Sequence, residues 1–229
     1  MKKYAIIVAG GSGSRMGEGL PKQFRPLMGK PMLWWSMKTF HDENSETELI
    51  LVLPQDYISL WGELMENLPE DERFPHKITP GGETRTESVR KGLAFIEDAD
   101  SLVAIHDGAR PLVTEKIIVE GWRAGKLAGA GIPAVRIADS LRKILYDGDS
   151  RVVDRSRFRA IQTPQVFQSS LIISAYEKSE GKTFTDDASM VEETGVKIAL
   201  FQGDTENFKV TTPIDLTLAE ILIANRNKK

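Results

Sequence analysis

A five-residue apolar run, Ala5-Ile6-Ile7-Val8-Ala9, ends abruptly in a loop containing Gly10, Gly11, Gly13, Gly17 and Gly19. A short apolar run with no polar alternation reads as a strand covered on both faces, and therefore as part of a parallel sheet. The glycines let the following backbone come close to a ligand and turn successive N–H groups toward one anion. Ser12 and Ser14 lie between them, and Arg15 and Lys22 flank the loop seven residues apart. A backbone cradle with two cations suits a polyphosphate.

Neither of the two common phosphate-binding patterns fits this loop. A Walker loop requires Lys-Ser or Lys-Thr after its last glycine. The nearest candidate, Gly29-Lys30-Pro31, lacks the hydroxyl. The dinucleotide pattern G-x-G-x-x-G is satisfied at Gly11 and Gly13 but meets Met16 where the third glycine belongs. The failure argues against a nicotinamide-dependent oxidoreductase.

The chain's 229 residues are enough for one large α/β domain or two small ones, and a net charge of -3 gives no basic excess to suggest nucleic acid as a partner. There is no cysteine, which excludes disulfides and thiolate metal sites and fits a reducing cytoplasm. Lys2-Lys3 precedes an apolar run too short and too soon broken by glycine for a signal peptide. No run approaches the roughly 18 apolar residues of a membrane span.

Further along, strand and helix patterns alternate. A helix is predicted after Pro31, with Leu33, Trp34, Met37 and Phe40 at core-facing spacing, then a strand over Glu48 to Leu53 and a helix over Tyr57 to Leu68. A short strand at Lys77 leads to Pro80-Gly81-Gly82, and Thr84 with Glu87 forms a capping box that opens another helix. That helix start is a second place where backbone amides could meet a ligand. Ser88 lies in its first turns, either as a ligand contact or as a solvated helix residue. The next strand, Ser101 to Ile105, runs into His106-Asp107-Gly108-Ala109-Arg110-Pro111, which places Asp107 and Arg110 where open α/β sheets bind ligands. An ion pair between the two is the plain alternative, and His106 reads as structural.

Around Asp147-Gly148 the pattern changes. Leu141 to Tyr146 and Arg151 to Arg155 interleave apolar and charged residues about a D-G turn, which is the signal of a β-hairpin. So charged a hairpin cannot lie inside a parallel core. It is expected to project, at about 136–160, as a homodimerisation arm on an otherwise single domain spanning 1–229. Asp186 and Asp187 read as helix-capping carboxylates. Lys209, just before the helix opened by Thr212-Pro213, could reach the ligand edge of the sheet. The fold class expected is α/β: a mostly parallel, Rossmann-like sheet with helices on both faces and a projecting hairpin arm.

Several of these motifs together carry a family likeness: A-G-G-S-G-S-R-M-G from Ala9, P-K-Q-F from Pro21, G-G-E-T-R-T-E-S-V from Gly81, H-D-G-A-R-P from His106, V-D-R from Val153, Q-T-P-Q-V-F from Gln162, T-D-D-A-S from Thr185 and K-V-T-T-P from Lys209. The chain resembles the 2-C-methyl-D-erythritol 4-phosphate cytidylyltransferases over nearly its whole length. The resemblance implies transfer of CMP from CTP to the sugar-alcohol phosphate, with pyrophosphate released and Mg²⁺ or another divalent cation taking part. It implies that Ala9, Gly10, Gly11, Gly13 and Ser14 wrap the triphosphate, and that Arg15 and Lys22 take up charge at the α-phosphate and leaving pyrophosphate. Gly82, Glu83 and Ser88 match positions near cytosine or ribose, with Asp107 and Gly108 beside them. Asp107 and Arg110 match positions near the sugar phosphate, with Asp107 also a candidate metal ligand. Arg155, Thr185 and Lys209 match positions that bind and aim the acceptor, Arg155 and Lys209 being candidates for catalysis. Since Arg155 falls on the arm, it would come from the other subunit of a homodimer. Where many relatives carry Ala after this Asp, the chain has Gly108.

The nearest rival is a ribitol 5-phosphate cytidylyltransferase, with the same loop and nucleotide but a poorer match at L-P-K-Q-F, V-D-R and T-D-D-A-S. A nucleotide-sensing module without catalysis could dispense with Arg15, Lys22 or Lys209, yet all three are present. No nucleic acid or membrane partner is expected.

Overall fold

A computed structural model describes residues 1–10, 19–146, 148–179 and 184–226. In chain order the elements are β1 (Lys2–Val8), β2 (Pro26–Leu27), β3 (Lys30–Pro31), α1 (Met32–Glu43), β4 (Glu48–Leu53), α2 (Ile58–Glu66), β5 (Lys77–Pro80), α3 (Arg85–Leu93), β6 (Ser101–Asp107), α4 (Glu115–Ala128) and β7 (Ala130–Arg136). Then follow β8 (Arg142–Ile144), β9 (Ser150–Val152), β10 (Arg159–Ile161), β11 (Gln165–Gln168), α5 (Ser169–Lys178), α6 (Asp187–Glu193), β12 (Ala199–Gln202) and α7 (Pro213–Arg226).

The central sheet runs β10-β7-β11-β6-β1-β4-β5, with β12 on the other side of β7. The pairings of β1 with β4 and β6, of β4 with β5 and of β7 with β12 are parallel. Strand alternation divides the core in two. Ala5, Ile7, Leu49 and Leu51 point to one face, packed by residues of α1, α2 and α4 such as Phe40, Trp61 and Trp122. Tyr4, Ile6, Ile50 and Val52 point to the other, packed by residues of α3, α5 and α6 such as Val89, Ile172 and Val191. The unbroken apolar runs are thus explained by burial on both sides.

The return from the arm differs from a purely parallel reading. β10 and β11 run antiparallel along β7, and β11 also pairs antiparallel with β6. Ile161 opposes Ala134, while Val166 opposes Gly131, so five steps on the returning strand match three on β7. The two extra residues make a bulge at 162–164, which contains the cis Thr163–Pro164 bond. The β8–β9 hairpin forms its own two-stranded sheet, with Gly148 at φ +87° in the turn. Among the described residues no helix is long and apolar enough to cross a membrane.

Candidate active site

The C-terminal ends of β1, β5 and β6 open on one side of the sheet, and two adjoining cavities lie there. The first, about 480 Å³, is bordered by Ala9, Gly10, Lys22, Gly82, Glu83 and Ser88, among others. The second, about 370 Å³, is bordered by Arg110, Gln162, Thr163, Gln165, Thr185 and Asp186. Arg85, Asp107 and Lys209 border both.

Ala9 leaves β1 with its N–H bonded to the Val52 carbonyl, and its own carbonyl accepts from Gln23 Nε2 at 2.8 Å. Gln23 is 2% exposed, so this bond anchors the strand end from which the glycine loop departs. Lys22 Nζ donates to the Val210 carbonyl at 3.0 Å, which ties the P-K-Q-F segment to the segment carrying Lys209. Gly11, Gly13, Ser14 and Arg15 lie outside the described residues.

The second glycine turn is shaped by its own helix cap. Thr84 Oγ1 accepts from the Glu87 N–H, and the Glu87 carboxylate accepts from the N–H groups of Glu83 and Thr84. Ser88 is buried rather than solvated, because its hydroxyl turns back to accept from the Gly82 N–H at 3.1 Å. With those amides occupied, the turn presents a ligand chiefly with carbonyls and side chains. A Cβ at Gly82 would meet Glu87 Cβ at 2.3 Å, so the cap requires glycine there. Gly108 does not border either cavity. It sits behind the wall, where a Cβ would meet Leu33 Cδ1 at 2.7 Å.

Asp107 is the electrostatic centre. Lys209 Nζ donates to Oδ2 at 3.0 Å, Arg110 Nε stands 3.7 Å from the same oxygen, and Arg85 Nε stands 3.4 Å from Oδ1. Burial alone would raise this carboxyl, but the charges of Arg85, Lys209 and Arg110 outweigh it and hold the group well below the usual carboxylate range. The Asp107–Arg110 ion pair is present, and both residues border the second cavity. Arg110 is held separately by donation from Nη1 to the Asn207 carbonyl. His106 is fully buried and takes a structural place. Thr163 Oγ1 accepts from the Asp107 N–H and faces His106 Nδ1 at 3.1 Å. Burial lowers the imidazole pKa to about 4.

Asp186 caps α6, accepting from the Ser189 N–H and from Gln165 Nε2. Asp187 is 1% exposed and accepts from the Tyr176 hydroxyl at 2.5 Å. Its Oδ2 stands 2.8 Å from Arg85 Nη2, a charge pair rather than a directed hydrogen bond. Arg155 is exposed at the base of the arm, outside both cavities, and donates to the Ala138 carbonyl. Lys22, Gly82, Glu83, Ser88, Asp107, Arg110, Thr185 and Lys209 thus gather around one opening. Arg85 joins them although the sequence reading assigned it no role. It stood inside a quoted motif, but only the fold brings Asp107 and Asp187 to it.

A family model described as 2-C-methyl-D-erythritol 4-phosphate cytidylyltransferase matches residues 4–225. The chain is 42% identical over 223 residues to the protein of that name from Phocaeicola vulgatus, covering 97% of this chain and 100% of the relative. It is 38% identical to that of Clostridium novyi, covering 98% and 97%. Among solved structures it is similar to 4-diphosphocytidyl-2C-methyl-D-erythritol synthase of Anaerococcus prevotii, with a TM-score of 0.84 at 28% identity over 97% and 96% of the two chains. It is similar also to the Thermus thermophilus cytidylyltransferase, with a TM-score of 0.76 at 30% identity over 98% and 100%.

Proposed function

The chain belongs to the 2-C-methyl-D-erythritol 4-phosphate cytidylyltransferase family, its reaction is the transfer of CMP from CTP to that sugar-alcohol phosphate, and we propose that the two joined cavities carry it. The products are 4-diphosphocytidyl-2-C-methyl-D-erythritol, an intermediate of non-mevalonate isoprenoid synthesis, and pyrophosphate. The observation that carries the assignment of the site is the shared border: Arg85, Asp107 and Lys209 line both cavities, so one cluster of charge faces a nucleotide on one side and an acceptor on the other.

The chemistry asks little covalent work of the protein. A phosphate oxygen of the acceptor forms a bond to the α-phosphorus of CTP as the bond to the bridging oxygen of pyrophosphate breaks, and the electron pair leaves with pyrophosphate. That oxygen is already ionised at neutral pH, so no general base is needed. Catalysis is then positioning plus neutralisation of charge. Lys22 faces the triphosphate, and the family resemblance gives Arg15 the same charge-neutralising task. Lys209 lies between the two substrates and takes up charge at the transferring phosphoryl group. Gly82, Glu83 and Ser88 border the part of the first cavity assigned to cytidine. Arg110 and Thr185 border the acceptor side.

A divalent cation in this reading would share Asp107 with the Lys209, Arg110 and Arg85 side chains that face its oxygens. Mg²⁺ is usually held by one or two carboxylates together with substrate phosphates. Asp107 is the carboxylate common to both cavities and would hold it, with phosphate oxygens supplying further ligands. When bound, the ion offsets triphosphate charge and favours departure of pyrophosphate. Among the described residues no three His, Cys, Asp or Glu side chains gather into a ready-made metal site.

The arm reading is supported by Ile144, Tyr146 and Val152, which are exposed on a hairpin that, among the described residues, forms a separate two-stranded sheet. Such a surface suits a second copy of the chain, with Arg155 delivered to the partner's acceptor cavity. The rival acceptor, ribitol 5-phosphate, finds no support in the relatives described above. Pyrophosphate release with CTP and each of the two acceptors tests the choice. Turnover is expected to be faster with methylerythritol phosphate; faster turnover with ribitol 5-phosphate would overturn it.

A further inference from the structure

Arg85 occupies the first position of α3, where the helix dipole disfavours a cation. Two carboxylates from other elements compensate it. Asp107, at the end of β6, meets Nε with Oδ1, and Asp187, at the start of α6, meets Nη2 with Oδ2. Lys209 and Arg110 both approach the other oxygen of Asp107. Arg85 therefore balances the pull on that carboxylate from the opposite side. Asp187, held in turn by Tyr176, borders neither cavity.

We propose that Arg85 is a positioning residue for cytidylyl transfer: anchored by Asp187, its guanidinium fixes the Asp107 carboxylate, and through it Lys209, between the nucleotide and acceptor cavities. The inference rests on the assignment of the reaction made above. A planar fork can reach two carboxylates on different elements at once, whereas a lysine ammonium is a point charge and cannot reproduce the bridge. Without the bridge, Asp107 turns toward Lys209 and Arg110 and draws Lys209 away from the transferring phosphate. Misplacement of a catalytic group by about 1 Å is enough to cost about 100-fold in rate.

The test compares Arg85→Lys, Asp187→Asn and the double variant by steady-state kinetics, with kcat expressed per folded protein, and by thermal melting. Each single variant is expected to lower kcat by about 10- to 100-fold while CTP KM changes by less than about threefold. The double variant is expected to be no worse than the poorer single one, because both substitutions break one bridge. The loss at Asp187 is the discriminating result, since that residue touches no cavity. If kcat of both single variants stays within about threefold of the wild type, or if only the melting temperature falls, the positioning role is overturned. If the unsubstituted protein itself releases no pyrophosphate from CTP and acceptor, it is the assignment of the reaction that fails instead.

Discussion

Replacing Lys209 by methionine separates what this residue does for the fold from what it does for the reaction. Its ammonium lies 3.0 Å from Asp107 Oδ2. At that distance two unit charges interact by about 1.4 kcal/mol in water and by about 5.5 kcal/mol in an effective dielectric near 20. The Lys209 side chain is 43% exposed, which puts the pair near the watery limit. After the entropy of holding a long side chain is subtracted, its net contribution to stability is below about 1 kcal/mol. Asp107 also keeps Arg85 and Arg110, so the buried carboxylate is not left alone. The reaction is a different matter. Inside a closed, substrate-filled cleft a donor aimed at developing charge is worth about 2.7–4 kcal/mol, or 100- to 1,000-fold in kcat. Lys209→Met is therefore expected to lose at least about 100-fold in kcat, measured by pyrophosphate release, while a urea melt shifts by less than about 1 kcal/mol. A variant with kcat within about threefold of the wild type, or one whose lost activity matches its lost folded fraction, would refute the charge-neutralisation argument.

Three further outcomes are expected. His76 Nε2 accepts from Trp61 Nε1–H at 2.8 Å while Nδ1 faces the Phe74 carbonyl, and burial depresses its pKa below the ordinary value. A depressed imidazole contributes stability that is complete above about pH 6.5 and is lost as pH falls below that value toward the folded pKa, because there the unfolded chain binds a proton that the folded one does not. His106, lowered to about 4, acts in the same direction, so thermal melts between pH 7.5 and 5 should fall with acid and His76→Gln should reduce the slope; an unchanged slope would remove His76 from the account. At the arm, Val152→Asp is expected to convert a dimer to a monomer by light scattering, and mixing Arg155→Ala with Lys22→Ala chains is expected to restore part of the lost turnover. A dimer that persists, or mixtures as inactive as their components, would count against the arm as a shared element.

The parts of the structure that could be read in advance were those governed by local rules. β1, β4 and β6 announced themselves as apolar runs, Thr84 and Glu87 as a cap, and the D-G turn as a hairpin, because each depends on neighbours a few residues away. The antiparallel return through β10 and β11 was not legible. Arg159 to Ile161 is short and exposed, and the direction of β11 is set by β6 and β7 rather than by its own residues. Ser88 illustrates the same limit: on a helix start a serine reads as solvated, and its burial follows from a turn of chain that brings Gly82 over it. The residues that border the two cavities stood out as motifs, but their charge balance did not. Arg85 at the head of a helix looks like a surface cation until Asp107 and Asp187 arrive from elements far along the chain.

The bulge at 162–164 gives the arm an unusual mechanical position. The hairpin leaves the sheet from β7 and re-enters it beside the same strand, and the first residues after β10 are Gln162 and Thr163, which border the second cavity. Thr163 is bonded to the Asp107 N–H, and Asn207 Nδ2 donates to its carbonyl, two residues before Lys209. Past the connecting segments 137–141 and 153–158, the base of the hairpin is tied to the sheet through β7, β10 and this bulge. Under the proposed pairing of two chains, a pull on the hairpin would be felt at the residues that border the second cavity.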